Sequence, residues 1–322
     1  MIQSKQVEKQ DAFDKLKQLE AEHGPIDGFV STGGLLHKYA PIGQEFVDCF
    51  PQLRFLTGGG AGYNNIDTEA LSKNGVYYCN TPQAVAEPTA DCASTMILCV
   101  LRNFISYDRN TRKGKWKEGL AQGTNPRDAT IGILGMGSIG GIVARHMQAF
   151  GAKVVYHNRN KLPEKSEHGA KYVAELSDFL AQCDVVSVHV PLSASTRHYL
   201  STKEFKMMKE GSKLVNTARG PVVDEEALVA ALKSGHLAGA ALDVFENEPE
   251  IHPWLLEADN VLLLPHNGSN TRGTDAAVVR EMVKNLDSYL SVPKGEPPHN
   301  AVNKLEQSRK VQITVRLRGM QA

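Results

Sequence analysis

The chain has 322 residues, of which 41% are hydrophobic and 22% charged, and this length and composition predict a globular protein of two domains. Its 36 Lys and Arg residues balance 36 Asp and Glu residues, so nothing favours nucleic acid or an anionic membrane as a partner. No apolar run approaches the length of a membrane span, and the charged first twenty residues have no apolar signal-peptide core.

The first hundred residues show a small α/β pattern of short strands and intervening helices. Strands are predicted at Asp27–Ser31, Leu53–Thr57 and Val76–Cys79. Helices are predicted at Asp11–Glu22, Gln44–Phe50 and Thr68–Asn74. Two longer helices, Glu87–Phe104 and Thr274–Leu290, are expected to connect this region to the rest of the chain.

Residues 130–266 alternate apolar strand-like runs with helical runs, such as Asp224–Ser234 with Gly235 after it. The predicted strands are Thr130–Leu134, Lys153–Tyr156, Asp184–Val190, Lys213–Thr217, Gly239–Val244 and Asn260–Leu264. Such alternation predicts a parallel sheet with helices on both faces.

A glycine-rich turn, GMGSIG, joins the first of these strands to a helical run, and a second strand follows. This order is typical of a phosphate-binding β-α-β unit. Gly135 permits the tight turn, Gly137 leaves room for a pyrophosphate, and Gly140 lets the helix pack close to the strand. The helix N-terminus, at Ser138 and Ile139, offers N–H groups to the anion. We therefore predict a dinucleotide-binding domain at residues 99–284 and a discontinuous smaller domain at residues 1–98 and 285–322.

The five cysteines are scattered along the chain, at Cys49, Cys79, Cys92, Cys99 and Cys183. Their number is odd and no CxxC pair is present, which predicts reduced thiols of a cytosolic protein. There is no HExxH motif and no His and Cys cluster at zinc spacing, so no metal site is predicted.

Five further motifs have a specific order and spacing. They are GGGAGYNNID at Gly58–Asp67, VSVHVPLSASTRHYL at Val186–Leu200, NTARG at Asn216–Gly220, ALDVFENEP at Ala241–Pro249 and LLPHNGSNT at Leu263–Thr271. Together they resemble the D-isomer-specific 2-hydroxyacid dehydrogenases, most closely glyoxylate/hydroxypyruvate reductases and fungal D-mandelate-type dehydrogenases. The resemblance runs from about Asp27 to Asn303. It implies an α/β protein with a Rossmann dinucleotide-binding domain, a smaller flavodoxin-like α/β substrate domain, and assembly as a homodimer.

The chain departs from the family pattern at both ends. It starts almost in the family's second helix, which predicts a small domain truncated at its N-terminus. Beyond Asn303, the apolar residues Val311, Ile313, Val315 and Leu317 alternate with polar ones, a pattern that suits a half-buried strand. The alternatives are a strand that pairs with the small domain's sheet and a frayed tail.

Arg219, Glu248 and His266 are the candidate catalytic residues. Arg219 and His266 each follow an apolar strand, at the edge where open α/β sheets bind ligands. A guanidinium there can bind a carboxylate with two parallel bonds, although most Arg residues form surface ion pairs. A histidine can hold and donate a proton near neutral pH. Glu248 can orient the imidazole and stabilise its protonated form, and Glu246 is its nearest competitor. The resemblance assigns these roles to Arg219, His266 and Glu248.

The resemblance also implies contacts with the substrate and with the cofactor. Ala61 and Gly62 match the segment whose backbone N–H groups hold the substrate carboxylate, with a flexible loop as the alternative. Asp243 matches the contact with the nicotinamide amide. Pro191, Thr217 and Gly268 fall on loops that line the cofactor. His189, by contrast, is interpreted as a packed residue.

The position after the second strand indicates which dinucleotide is used. NAD-dependent enzymes usually place Asp or Glu there to bind the ribose 2′-hydroxyl. This chain has Asn158, Arg159 and Asn160 instead, so no carboxylate repels a 2′-phosphate and Arg159 can pair with one. NADP(H) is therefore favoured, and NAD(H) stays possible. The alternative for Arg159 is a solvated loop cation.

These residues predict an enzyme that reduces a small 2-oxo acid to the D-2-hydroxy acid with NAD(P)H. Glyoxylate, hydroxypyruvate and aryl or branched 2-oxo acids are the candidate substrates. The alternatives to this reductase are a nucleotide-sensing corepressor-like scaffold and a formate dehydrogenase. In formate dehydrogenases Gln takes the place of the acidic partner, against Glu248 here. Leu35, Leu36 and Trp254 are the candidates for contact with the substrate side chain.

Overall fold

The computed structural model describes residues 9–31, 40–293 and 296–305, which form two compact units. The smaller unit contains the chain up to Pro82 and from Ala276 onward, and the larger unit contains Gln83–Asp275. Leu35, Leu36 and the predicted tail strand lie outside the described residues.

The smaller unit is built on a parallel sheet of three described strands in the order β1-β2-β3. The strands are β1 (Gly28–Ser31), β2 (Phe55–Gly58) and β3 (Tyr77–Cys79). The helices between them are α1 (Lys9–His23), α2 (Gln44–Cys49) and α3 (Thr68–Lys73). Helix α3 begins at the N-cap Asp67, whose side chain accepts a hydrogen bond from the Ala70 N–H.

Alternate residues of β2 face opposite sides of this sheet, because successive side chains of a strand point in opposite directions. Leu56 packs with a cluster of buried residues from α1 and α2 that includes Phe13 and Phe46. Phe55 packs on the other side, where its ring stacks on Tyr289 with the ring centroids 4.8 Å apart. Both faces of the sheet are therefore covered by helices.

The larger unit is built on a seven-stranded sheet in the order β10-β9-β8-β7-β4-β5-β6, and every paired strand is parallel to its neighbour. The strands are β4 (Thr130–Leu134), β5 (Lys153–His157), β6 (Lys171–Tyr172), β7 (Val185–Val188), β8 (Ser212–Asn216), β9 (Leu237–Leu242) and β10 (Val261–Leu263). The helices from the first junction onward are α4 (Pro82–Leu101), α5 (Phe104–Arg112), α6 (Ser138–Ala149), α7 (Leu176–Gln182), α8 (Thr202–Met207), α9 (Glu225–Lys233), α10 (Pro253–Glu257) and α11 (Arg272–Ser291). This is the doubly wound order of a Rossmann fold, with the switch of direction between β4 and β7.

Two buried clusters cover the faces of the large sheet. On one face Ile131 and Ile133 of β4 pack with α4 and α6, and on the other Leu134 packs with α7 to α9. The predicted fold class is thus confirmed, and each predicted strand is present with small shifts at its ends. The sequence missed the two-residue strand β6 and helix α5.

The junctions between the units differ from the predicted domain boundaries, which lie further along the chain at 98/99 and 284/285. The units change at Pro82 and at Asp275. The first junction lies at the first residue of α4, and the second lies in the first turn of α11. Helix α4 also begins earlier than predicted, because proline is well tolerated in the first turn of a helix.

Helix α4 also corrects the expectation that no apolar run reaches the length of a membrane span. Among the described residues it is the one helix that is long and apolar enough to cross a membrane by length and composition. Half of the apolar stretch of this helix is buried, and residues of the helix pack in the same cluster as residues of β4. A single helix of this kind is weak evidence for a membrane span, since buried core helices meet the same criteria.

Asn303 ties the C-terminal end of the described chain to the small sheet. Its side chain accepts a hydrogen bond from the Tyr78 N–H at 2.8 Å and donates to Ser72 Oγ and to the Val76 carbonyl. We expect Asn303→Ala to lower the free energy of unfolding by about 2–3 kcal/mol, because buried polar groups lose their partners. Urea denaturation measures this, with exposed Lys304→Ala as the control. Equal midpoints for the two variants would contradict the assignment.

Candidate active site

The glycine-rich turn between β4 and α6 has the geometry that the sequence predicts. Gly135 adopts φ +99°, a conformation that favours glycine, and its N–H donates to the His157 carbonyl. A Cβ on Gly140 would lie 2.4 Å from the Gly135 carbonyl oxygen and 2.9 Å from Ile133, so the helix approaches the strand closely. At Gly137, by contrast, no heavy atom of the described chain other than its own and those of its chain neighbours lies within 4 Å of the position a Cβ would take.

Helix α6 starts at this open point of the turn. Its first residues, Ser138 and Ile139, have N–H groups without an intrahelical acceptor, as at every helix N-terminus. The open space above Gly137 and these donors fit a phosphate group.

The loop after β5 is held against the same turn. Asn158 accepts a hydrogen bond from the Met136 N–H through Oδ1 at 2.7 Å, and its own carbonyl accepts one from the Tyr172 hydroxyl. Because Oδ1 faces Met136, the side-chain NH2 group of Asn158 points away from Met136 and can act as a donor. Arg159 and Asn160 are exposed, and Arg159 has no hydrogen bond or ion pair with any described residue.

Thr217 and Pro191 follow β8 and β7 at the same edge of the sheet. Thr217 is buried, and its hydroxyl has no hydrogen-bond partner among the described residues. A buried hydroxyl of this kind is costly without a partner, so it fits a ligand that supplies one. Pro191 is exposed and its carbonyl accepts from the Thr196 hydroxyl.

The turn that carries Arg219 is fixed by Asn216, the last residue of β8. The buried Asn216 side chain accepts from the Ala218 N–H and donates to the Arg219 carbonyl, each at 3.0 Å. The Arg219 guanidinium donates to the Ala218 carbonyl at 2.7 Å. Burial lowers the pKa of Arg219, and the nearby Glu248 carboxylate raises it. A partly desolvated cation therefore stands close to Glu248 at the end of β8.

Gly220 presses this turn against the loop after β9. A Cβ at Gly220 would lie 1.8 Å from the Phe245 carbonyl oxygen, so only glycine fits at this position. The Phe245 N–H in turn donates to Glu248 at 3.0 Å. The backbone at Phe245 therefore positions both the Arg219 turn and the Glu248 side chain.

Glu248 and His266 form a hydrogen-bonded pair, with 2.8 Å between Glu248 Oε2 and His266 Nδ1. Burial alone would raise the pKa of Glu248, but the bonds from His266 and Phe245 and the charge of Arg219 lower it below its ordinary value. The competitor Glu246 lies elsewhere, 2.5 Å from His198 Nε2. The structure thus brings Glu248 to the imidazole, and Glu246 to a different histidine.

Asp243 holds the loop that contains His266. Its carboxylate accepts from the N–H groups of Asn267 at 2.6 Å and of Gly268 at 2.8 Å, and its carbonyl accepts from the His266 N–H. Burial raises the pKa of Asp243, although these bonds oppose the change. A Cβ at Gly268 would lie 2.9 Å from Asp243 Oδ2, which explains the glycine there.

Two further predicted features concern His189 and the segment Ala61–Gly62. Burial lowers the pKa of His189 to about 4, and its ring lies 2.8 Å from the Ser187 hydroxyl, as expected of a packed neutral residue. Ala61 and Gly62 belong to the smaller unit and follow β2. The sequence patterns gave no signal for the bracing roles of Asn216 and Asp243, since each acts through hydrogen bonds to the backbone.

No group of three or more His, Cys, Asp or Glu side chains that could hold a metal ion is found in the described parts of the chain. Trp254, a candidate for contact with the substrate side chain, is partly buried against a core cluster, with Lys233 over its ring, and its contact with substrate stays a prediction.

A family model and individual proteins of known activity are similar to this chain over much of its length. The family model described as D-isomer specific 2-hydroxyacid dehydrogenase, NAD binding domain, matches residues 94–268. A glyoxylate reductase from Thermococcus litoralis is 39% identical over 271 residues, which cover 82% of this chain and 81% of that protein.

Solved structures are similar over most of the chain. A glyoxylate reductase from Paecilomyes thermophila has a TM-score of 0.84 at 38% identity and covers 91% of this chain and 88% of its own. The holo form of D-mandelate dehydrogenase from Rhodotorula graminis has a TM-score of 0.83 at 31% identity, with 92% of this chain and 90% of its own covered.

Two glycines of the turn should respond differently to the same substitution. Gly140→Ala should lower the free energy of unfolding by about 1–3 kcal/mol, because the new methyl group meets Gly135 and Ile133. Gly137→Ala should change it by less than about 1 kcal/mol, the range of a substitution at a helix N-cap. Its affinity for a nicotinamide dinucleotide should nevertheless fall more than about tenfold, or about 1.4 kcal/mol, because the methyl group fills the open space. Urea denaturation and calorimetric titration separate the two effects, and unchanged dinucleotide affinity in Gly137→Ala would contradict the placement.

Proposed function

The chain belongs to the D-isomer specific 2-hydroxyacid dehydrogenase family, and on that premise we propose that it reduces glyoxylate, hydroxypyruvate or a related small 2-oxo acid, with NADPH as the preferred donor. Family membership makes it an NAD(P)-dependent oxidoreductase that reduces 2-oxo acids to 2-hydroxy acids. The observation that carries the proposal is the hydrogen-bonded Glu248–His266 pair, at the edge of the sheet that also carries Arg219 and the dinucleotide turn.

Arg219 is proposed to bind the carboxylate of the substrate. Its guanidinium is partly desolvated, and arginine side chains stay protonated in proteins. A planar guanidinium can bind a carboxylate through two parallel N–H···O bonds, which orients the neighbouring carbonyl group. Ala61 and Gly62 are proposed to bind a substrate carboxylate through their backbone N–H groups.

His266 is proposed to donate the proton. A carboxylate can only accept, so the bond to Glu248 places a proton on Nδ1 and leaves Nε2 to face the substrate carbonyl oxygen. Because the pKa of Glu248 is lowered, it stays ionised at neutral pH and stabilises the imidazolium. A nicotinamide bound at the dinucleotide turn would supply the hydride. The protonated His266 gives its Nε2 proton to the carbonyl oxygen, and Arg219 stabilises the charge that builds up beside it.

The acid–base pair should appear in the pH dependence of reduction. We expect His266→Ala to lower kcat for glyoxylate by about 10²–10⁴, the usual contribution of general acid catalysis. Wild-type reduction should decline as the pH falls through the lowered pKa of Glu248, because the protonated carboxyl group no longer stabilises the imidazolium. Glu248→Gln should lower kcat and remove this decline, since the carboxylate is gone. Initial rates of NADPH oxidation with glyoxylate, hydroxypyruvate and phenylglyoxylate measure these effects.

His198→Ala is the matched control for the acid–base experiment. His198 also pairs with a glutamate, Glu246, yet it has no proposed part in the reaction. Near-full activity in His266→Ala would exclude the assigned acid. Lack of reduction by the wild type with every acid of the panel would exclude this substrate class.

The loop after β5 supports the proposed preference for NADPH. It offers the cation Arg159, and the donors Asn158 and Asn160, with no carboxylate at the position that binds a ribose 2′-hydroxyl. The Asn158 side chain is fixed by its bond to Met136, so its amide group is preorganised as a donor. A 2′-phosphate would therefore meet donors and a positive charge.

NADPH should exceed NADH in kcat/KM by about ten- to a hundredfold. A hydrogen bond to a charged group contributes about 1.5–3 kcal/mol, which gives that ratio. Arg159→Ala should remove most of the difference by weakening NADPH use. Asn158→Asp should favour NADH, because a carboxylate at 158 keeps an acceptor for the Met136 N–H and repels phosphate. Exposed Arg145→Ala is the control for net charge, and equal use of both cofactors by the wild type would refute the preference.

The homodimer and the cytosolic location stay predictions.

A further inference from the structure

The loop after β2 is clamped at Gly60 by Thr81. The Gly60 N–H donates to the Thr81 hydroxyl at 2.8 Å, and the Thr81 N–H donates to the Gly60 carbonyl at 3.0 Å. Thr81 is fully buried. The N–H and the carbonyl of Gly60, two residues after β2, are therefore both paired with Thr81 within the smaller unit.

Asn80 fixes the next peptide group. Its side-chain amide donates to the Ala61 carbonyl at 2.7 Å. In a planar trans peptide the carbonyl and the following N–H point in opposite directions. The bond from Asn80 thus turns the Gly62 N–H away from Asn80. In the part of the chain that the structure describes, neither the Ala61 N–H nor the Gly62 N–H donates a hydrogen bond.

A network of hydrogen bonds among buried polar side chains holds the backbone of Asn80. The fully buried Asn285, on α11, donates to the Asn80 carbonyl at 2.8 Å and to the Thr57 hydroxyl at 3.2 Å. The Asn285 carboxamide oxygen accepts from Asn300, which also donates to Glu281 at 2.8 Å. Buried polar groups are costly unless they are satisfied, and a satisfied network permits one arrangement of its members.

We propose that Asn80 and Thr81 are positioning residues that hold Ala61 and Gly62 with two N–H groups free for an anionic oxygen, and that Asn285 fixes Asn80. This inference rests on the proposed function, in which these two N–H groups bind the substrate carboxylate. Neither positioning residue touches the substrate. Thr81 pairs with the N–H and the carbonyl of Gly60, and Asn80 pairs with the carbonyl of Ala61. The N–H groups of Ala61 and Gly62 thereby stay available and point in fixed directions.

A matched pair of substitutions at Thr81 tests the clamp. Thr81→Val keeps the shape of the side chain but removes the oxygen that accepts from Gly60, whereas Thr81→Ser keeps that oxygen. We expect Thr81→Val to raise KM for glyoxylate about tenfold, the effect of one lost hydrogen bond, with KM for NADPH unchanged within about twofold. Thr81→Ser should restore a KM close to wild type. Asn80→Ala should behave as Thr81→Val does.

Amide exchange and oxalate titration separate this inference from the proposed function. By NMR, the Gly60 N–H should exchange faster in Thr81→Val than in the wild type or in Thr81→Ser. Oxalate, a stable mimic of a 2-oxo acid, should shift the Ala61 and Gly62 amide signals in the wild type and less in Thr81→Val, even if no acid in the panel is reduced. The inference is overturned if KM for glyoxylate is the same in Thr81→Val and Thr81→Ser, or if oxalate leaves both amide signals of the wild type in place.

Discussion

The buried carboxylate of Asp243 is the interaction on which the candidate active site depends. The carboxylate accepts hydrogen bonds from two consecutive N–H groups of the loop after β10, and the backbone carbonyl of Asp243 accepts one from the N–H of His266. Two residues further along, the Phe245 N–H donates to Glu248. The Phe245 carbonyl lies so close to the neighbouring turn that only glycine fits at position 220. The short segment after β9 therefore sets the positions of all three candidate catalytic side chains, each of which comes from a different loop.

The same segment creates the electrostatic character of the site. Burial raises the pKa of Asp243 and lowers that of Arg219, so both groups are held in surroundings that disfavour their charged forms. Burial and the Asp243 carboxylate also raise the pKa of Cys92 to about 11, which keeps this thiol protonated. Glu248 differs because its bonds outweigh its burial. A carboxylate substrate would therefore meet a partly desolvated cation, Arg219, and an acid, His266, whose partner Glu248 is already ionised.

Sequence patterns predicted the parts of the fold that depend on local composition. Apolar runs located every strand except β6, whose two residues are too few to form a pattern, and the glycine turn matched its predicted geometry. The motifs placed Glu248 and His266 correctly as neighbours, whereas spacing alone left Glu246 as a competitor. Asn216, Asn80 and Asn285 could not be found this way, because each bonds to backbone groups that a residue pattern does not reveal. The compact units change at the starts of two long helices, where the residue pattern gives no sign of a boundary, and the predicted domain boundaries stay predictions.

The order of strands separates the cofactor-selecting loop from the acid–base pair. Strand β5, which precedes Asn158 and Arg159, is four strands from β9, which precedes Asp243 and Glu248. At roughly 4.8 Å between neighbouring strands, the two loops begin about 19 Å apart. No small 2-oxo acid can touch both, so a ligand that does must be elongated and lie across the edge of the sheet. Substitutions this far apart without shared partners usually have additive effects. Cofactor preference can therefore change at the loop after β5 while the chemistry at His266 stays as it is.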